Sequence, residues 1–285
     1  MSTHRGITPT RVWLVTGASS GFGQALCEVA LDRGDTVVAT ARDADNLPSW
    51  TTSHPQQSVG LSLDVTDGAQ VREAVHEVTE RFGRIDVAVN NAGYALVAAI
   101  EEASDAELRE QFEVNLHGVI NVTRAVLPIM REQRHGHLVQ MSSLNGVRGL
   151  AGGGYYAASK FAVEGLSESL AQEVAHLGIR VTIIEPGPHR THFARHDSMR
   201  WSQPIDDYRP AVGATRAALE ELDGNQPGDP GRAAHAIAEV VDKELPPLRL
   251  PLGRMAVGSI SEGLTARQAE LAHWRALSIS SDFPA

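Results

Sequence analysis

Two residues in this chain stand at a spacing that can move a proton. Tyr156 and Lys160 lie four apart in a segment, Gly154 to Ala175, whose apolar pattern is helical, so both side chains project from one helix face. With four tyrosines and two lysines in 285 residues, chance would set such a pair about 0.03 times. A free tyrosine has a pKa near 10 and exchanges its proton poorly at neutral pH, whereas a cation within about 4–6 Å lowers that value by about 1–3 units. Lys160 is that cation. Ser143, thirteen residues before Tyr156 at the end of an expected strand, adds a hydroxyl. Asn115 falls inside a long expected helix, where its propensity is poor. Tyr155 has neither the lysine four residues on nor the serine thirteen back, so it is read as a packing or pocket-lining side chain. Ser142 is read as a strand-end hydroxyl.

A second constellation can hold an anion. An expected first strand ends in Thr16-Gly17-Ala18-Ser19-Ser20-Gly21-Phe22-Gly23, and a helical pattern begins at once from Gln24. Glycines at such a turn let the backbone pass close to a pyrophosphate, and the helix start offers unpaired N–H groups and a positive dipole end. The run Gly152-Gly153-Gly154 lacks that strand-before, helix-after context and is not assigned to phosphate.

The spacing Thr-Gly-x3-Gly-x-Gly resembles that of the short-chain dehydrogenase/reductase (SDR) family, and the likeness continues along the chain. Asp64-Val65, Asn90-Asn91-Ala92-Gly93 and Pro186-Gly187 follow the third, fourth and sixth expected strands, as they do in that family. The likeness covers about residues 10 to 195, on a branch near bacterial carbonyl reductases and 17β-hydroxysteroid dehydrogenases.

The resemblance implies roles residue by residue. Asn115, Ser143, Tyr156 and Lys160 match the family's catalytic tetrad. Hydride reduction of a ketone puts negative charge on its oxygen, which must meet a proton donor and a hydrogen bond. Ser143 is then expected to bond the carbonyl oxygen, Tyr156 to give the proton, Lys160 to hold the nicotinamide ribose as well, and Asn115 to hold a water leading from Lys160 to solvent. Gly17, Ser19, Ser20, Gly21, Phe22 and Gly23 are expected around the pyrophosphate, Asp64 at the adenine and Asn90 at the adenosine ribose, with Val65, Ala92 and Gly93 as further cofactor contacts. Pro186, Gly187 and Thr191 are expected at the nicotinamide. The position resembling the family's acidic NAD selector is Ala41, followed by Arg42, so no carboxylate repels a 2′-phosphate and a guanidinium can hold it. NADP(H) is the expected cofactor, with NAD(H) as the alternative.

The elements that must position these residues alternate. Expected strands at Arg11–Thr16, Thr36–Thr40, Ser58–Asp64, Ile85–Asn90, Gly136–Ser142, Arg180–Glu185 and Leu248–Leu250 are separated by helical patterns, the signature of βαβ units. The longest helix pattern runs from about Asp105 to Gln133. The expected fold is α/β: one Rossmann-type, doubly wound domain with a seven-stranded parallel sheet flanked by helices. Residues 1–10 read as a polar tail, 11–258 as the domain and 259–285 as its helical extension, with an amphipathic helix at Ser259–Leu277. Asp43 to Gln57 reads as a polar loop. Pro188 to Pro230 is a long irregular insertion, read as a substrate lid because it carries Trp201 and Tyr208.

Composition narrows the partners. The chain is 42% hydrophobic and 21% charged, and no stretch of about 18 apolar residues runs without charge, so a soluble, cytoplasmic protein is expected. A net charge of -10 argues against nucleic acid and anionic lipid. One cysteine, Cys27, allows no disulfide framework and fits a reducing compartment. His189 and His192 flank Thr191, but no histidine pair has metalloprotease spacing, so no metal is expected. Leu144, Tyr155, His189, Trp201 and Tyr208 are the expected pocket walls, without a concentrated basic patch, which suits a neutral, moderately hydrophobic ketone or secondary alcohol. Two other readings are an NAD-preferring alcohol dehydrogenase and an NADP-binding sensor without turnover, which would not need the tetrad. The family resemblance also implies a homodimer or homotetramer.

Overall fold

The computed structural model describes residues 10–54, 56–191, 193 and 199–283. Its centre is a seven-stranded, wholly parallel sheet in the order β3-β2-β1-β4-β6-β7-β9. The strands are β1 (Val12–Val15), β2 (Thr36–Ala41), β3 (Ser58–Ser62), β4 (Val87–Asn90), β6 (Gly136–Met141), β7 (Ile179–Pro186) and β9 (Arg249–Leu252). All seven expected strands form, with ends shifted by up to about two residues.

Alternation along the strands builds two cores. Val12, Leu14 and Val38 face one side, which α3 (Gly68–Phe82), α5 (Gly118–Gln133) and α6 (Gly154–Val174) cover with Val71, Val75, Val126, Met130 and Leu170. Trp13, Val15 and Val37 face the other, covered by Leu26, Cys27 and Ala30 of α1 (Gly21–Asp32) and Ala234 and Ile237 of α8 (Pro230–Val241). Strands covered on both faces read as near-continuous apolar runs, which is why they were visible in the sequence.

Three regions differ from expectation. The long helix is interrupted: α4 (Asp105–Phe112) passes into α5 through a π-turn at Glu113–His117, which holds Asn115. The polar loop after β2 contains a 3-10 turn at Ala44–Asn46 and a short helix, α2 (Trp50–Ser53). The insertion after β7 carries β8 (Met199–Trp201), which pairs in parallel with β5 (Ala95–Val97), and then α7 (Ala214–Leu222). Both small strands lie about a hundred positions apart and are three residues long, too short for a period to show. The last helix, α9, spans Arg254–Ile279, so the boundary expected at 259 falls within it.

β6 carries a test of this packing. His137 is buried there with Nε2 2.9 Å from Thr182 Oγ1, and burial, aided by Arg180, Arg11 and His135, pulls its pKa down to about 3. Its folded value lies below that of an unfolded histidine, near 6.5, so the stability it contributes is present above that pH and is lost as pH falls towards about 3. Urea unfolding across that window should show a slope component of up to about 1.4 kcal/mol per pH unit that His137→Gln removes. An unchanged slope in the variant would contradict a neutral, buried His137.

Candidate active site

The catalytic candidates converge where β6 ends against the start of α6. Ser143 follows β6 in extended conformation and caps a 3-10 turn at Leu144–Gly146, its Oγ accepting from Asn145 N–H at 3.1 Å. Tyr156 lies in the first turn of α6 and is hydrogen-bonded to the Ser143 side chain. Lys160, one turn on, is buried and donates from Nζ to the Met141 carbonyl at 2.7 Å, with Nζ 5.8 Å from the Tyr156 ring centroid. The i, i+4 spacing thus places both side chains on the helix face that meets the end of β6.

Asn115 joins them from behind. It is fully buried, accepts from Tyr94 N–H at 3.1 Å, and donates to the Tyr94 carbonyl at 2.9 Å and Ser159 Oγ at 3.3 Å. A Cβ on Gly93 would sit 3.1 Å from Asn115 Oδ1 and 3.7 Å from Lys160 Nζ, so the amide and the ammonium flank that glycine. The π-turn aims Asn115 inward at this point, in keeping with the frequency of such bulges at functional sites.

Electrostatics correct one expectation. Burial, partly offset by the Ser143 hydrogen bond, pushes Tyr156 up to about 12, and burial opposed by Glu164 pulls Lys160 down to about 8. The net shift of Tyr156 is therefore upward, the cost of burying the phenolate outweighing the lowering expected from Lys160. At neutral pH the pair holds a protonated phenol beside a mostly charged ammonium.

A cleft of about 670 Å³ opens in front of these residues at the carboxyl ends of the strands. Arg42, Asp64 and Val65 line one end; Ser19, Ser20, Gly21 and Phe22 line its middle with Gly17, Ala92 and Gly93. Ser143, Leu144, Tyr156 and Lys160 line the other end with Pro186, Gly187, His189 and Thr191. The cradle suits a dinucleotide. Gly17 and Gly21 have positive φ, the Ser20 side chain leaves the first N–H groups of α1 uncapped, and no acidic residue stands in that first turn. Thr16 Oγ1 accepts from Asn91 and Ala92 N–H, and Asn91 Nδ2 donates to the carbonyls of Thr16 and Gly17 at 2.9 Å, locking the turn to the loop after β4.

Some expected contacts fall elsewhere. Gly23 packs against the Gly17 carbonyl behind the cleft. The Asn90 side chain donates to Thr123 Oγ1 of α5 and to Gln140 Oε1 of β6, so it does not face a ribose. Among the expected pocket aromatics, Tyr155 donates to the Ile100 carbonyl, Tyr208 donates to Glu101, and Trp201 lies under the Arg216 guanidinium; none lines the cleft. His189 lines it as a packed ring, 4.9 Å from Phe22, and His192 lies outside the described residues. Leu150 and Met199, within the expected wall segments 144–155 and 189–208, do line the cleft, and the walls missed from the sequence are Leu96, Val97, Val114, Leu219, Leu222 and Met255. The amphipathic pattern of α7 was the available signal for two of them.

Comparison with known proteins agrees with this geometry. The short chain dehydrogenase family model matches residues 11–200. The chain belongs to the short-chain dehydrogenase family. It is 42% identical to the oxidoreductase BOA17 of Botryotinia fuckeliana over 273 residues, 95% of this chain and 99% of that one. A short-chain dehydrogenase structure from Streptomyces avermitilis superposes with a TM-score of 0.91 at 45% identity, covering 96% of this chain and 100% of that one. An alcohol dehydrogenase from Thermococcus sibiricus, complexed with 5-hydroxy-NADP, superposes at 0.71 with 26% identity, covering 85% and 96%. The protein is therefore a short-chain oxidoreductase with a Rossmann-type fold that takes a nicotinamide cofactor.

Gly23 tests the cradle. Its Cβ would meet the Gly17 carbonyl and the Asn91 amide, neither free to move. Gly23→Ala should lower thermal stability and dinucleotide affinity, sharing an overpacking cost of about 1–3 kcal/mol. Wild-type values in a melting curve and a fluorescence titration with NADPH would contradict the packing described.

Proposed function

We propose that this short-chain dehydrogenase is an NADPH-dependent carbonyl reductase, acting reversibly on a neutral, hydrophobic ketone or secondary alcohol. The observation that carries the reading is the convergence of Ser143, Tyr156 and Lys160 at one end of a cleft whose other end holds Arg42. The dinucleotide supplies the hydride. Ser143 and Tyr156 together mark where a carbonyl oxygen binds, and Tyr156, protonated at neutral pH, donates to that oxygen as its charge develops. Lys160 supplies a positive field behind the phenol.

Arg42 supports the phosphate-bearing dinucleotide. It is exposed on the cleft wall, and among the described residues no carboxylate pairs with it. Asp43, the nearest acid in sequence, is turned to its own cap, accepting from Asp45 N–H and Asn46 Nδ2 at 3.0 Å. The substrate half of the cleft supports an apolar ligand. Its charged pair, Glu110 and Arg200, is mutually bonded, and the guanidinium lies over the Tyr94 ring. Leu150 and Met255 line its mouth at 44% and 49% exposure.

Leu264, Leu271, Trp274 and Leu277 leave α9 with exposed apolar side chains, which supports a homodimer or homotetramer. Among the described residues no helix is long and apolar enough to cross a membrane. A cytoplasmic location and a single domain that runs from residue 11 through α9, with a lid at 188–230, are part of the same reading.

Two variants test it on a panel of ketones with NADPH and NADH. Tyr156→Phe should lower kcat by about 100-fold or more while NADPH still binds. Arg42→Asp should erode the preference for NADPH by about 10-fold or more, the worth of a charge-assisted hydrogen bond. Full turnover by the first, or an unchanged cofactor ratio in the second, would refute the corresponding assignment.

A further inference from the structure

Behind the tetrad lies a second polar cluster that the chemistry above leaves unused. Glu164 follows Lys160 by one turn of α6 and is only 6% exposed; Glu185, near the end of β7, is 1% exposed. Ser142, after β6, is buried beside them. Ser142 Oγ, Glu164 Oε1 and Glu185 Oε1 are all buried atoms without a hydrogen-bond partner. Ser142 faces the Glu164 carboxyl, and the two carboxyls lie within hydrogen-bonding reach of each other. Arg249 of β9 is the cation in contact: Nε is 3.0 Å from Glu164 and 3.8 Å from Glu185, while Nη2 is 2.6 Å from the exposed Glu168.

One guanidinium cannot compensate three carboxylates, and two buried carboxylates facing each other resist ionising together, so that up to neutral pH one of them keeps its proton. A single proton between Glu164 and Glu185 satisfies both orphaned oxygens. It rests on Glu185, because Glu164 has the closer arginine. Burial and the facing Glu164 carry Glu185 up to about 7, and burial also raises Glu164.

The cluster touches the active site at three places. Ser142 precedes Ser143, Glu185 precedes Pro186, and Glu164 shares a helix face with Lys160. Gly146 closes the 3-10 turn on it, since a Cβ there would collide with Ser142 Oγ and lie 3.1 Å from Glu164 Cγ. Lys160 is faced by the Met141 carbonyl from β6, by Tyr156 and Glu164 from its own helix, and by the Gly93 loop with Asn115 behind it. Among these, Glu164 is the negative group. Glu164 is itself faced by Ser142, Glu185, Arg249 and Glu168.

We propose that Glu164 is a positioning residue: sharing one proton with Glu185 and paired to Arg249, it holds a buried negative charge one helical turn from Lys160 and keeps that ammonium charged. The inference rests on the reductase reading of Lys160. Burial pulls the ammonium towards its neutral form and Glu164 opposes this, so removing the carboxylate lets Lys160 lose its proton at lower pH.

The test is the pH profile of kcat/KM for ketone reduction, from about pH 6 to about pH 9. In Glu164→Gln the high-pH fall should begin about one pH unit lower, with activity at about pH 6 close to wild type. Glu185→Gln copies the shape of a protonated carboxyl. It should remove the protonated-carboxyl stretching band from the infrared difference spectrum taken across about pH 7. An unshifted fall in Glu164→Gln, with or without lost thermal stability, overturns the proposal, as does an infrared band that Glu185→Gln leaves unchanged. A wild-type protein that turned over no ketone would instead count against the reductase reading, and the infrared band would still decide the carboxyl pair.

Discussion

Taking an ammonium group out of water costs several kcal/mol, and this protein does so at Lys160. The charge survives because the Met141 carbonyl accepts from Nζ at 2.7 Å and because Glu164 stands one turn away. That requirement explains much of the local architecture. β6 must end where its last carbonyl can meet the lysine, α6 must begin close enough to bring Tyr156 to Ser143, and Gly93 must leave room between Lys160 and Asn115. Tyr156, partly buried on the cleft wall beside that lysine, keeps its proton at neutral pH.

The sheet order decides where this apparatus faces. β1 and β4 adjoin at the centre while their following segments run to opposite faces, which opens a crevice at the carboxyl ends of the strands. The turn after β1 and the loop after β4 are tied together across that crevice by Thr16 and Asn91. The uncapped start of α1 provides a local positive potential in a chain of net charge -10. A single cleft thereby joins the glycine turn after β1 to Ser143, Tyr156 and Lys160.

The sheet was legible because its inner strands are buried on both faces and helices cross back over it. The tetrad was legible because Tyr156 and Lys160 are neighbours along a helix and lysine is scarce. What stayed hidden depends on contacts distant in the chain. Trp201 and Tyr208 suggested a lined pocket by their chemistry, but Arg216 covers one and Glu101, 107 positions away, engages the other. Asn90 follows the family pattern, yet Gln140, fifty residues on, claims its amide. Glu164 and Glu185 read as ordinary helix and strand residues until β7 and β9 bring them to one arginine.

A protein with only two lysines permits the decisive measurement to be made directly. Lysine labelled with carbon-13 at Cε should give two resonances, one from Lys160 and one from Lys243. The account predicts that Lys160 titrates near about 8, pulled down by burial, while Lys243, exposed and paired with Glu239, titrates above the ordinary lysine value. Two resonances titrating together in the ordinary lysine range would mean that Lys160 is not held buried beside Tyr156, and the acid chemistry built on it would fall.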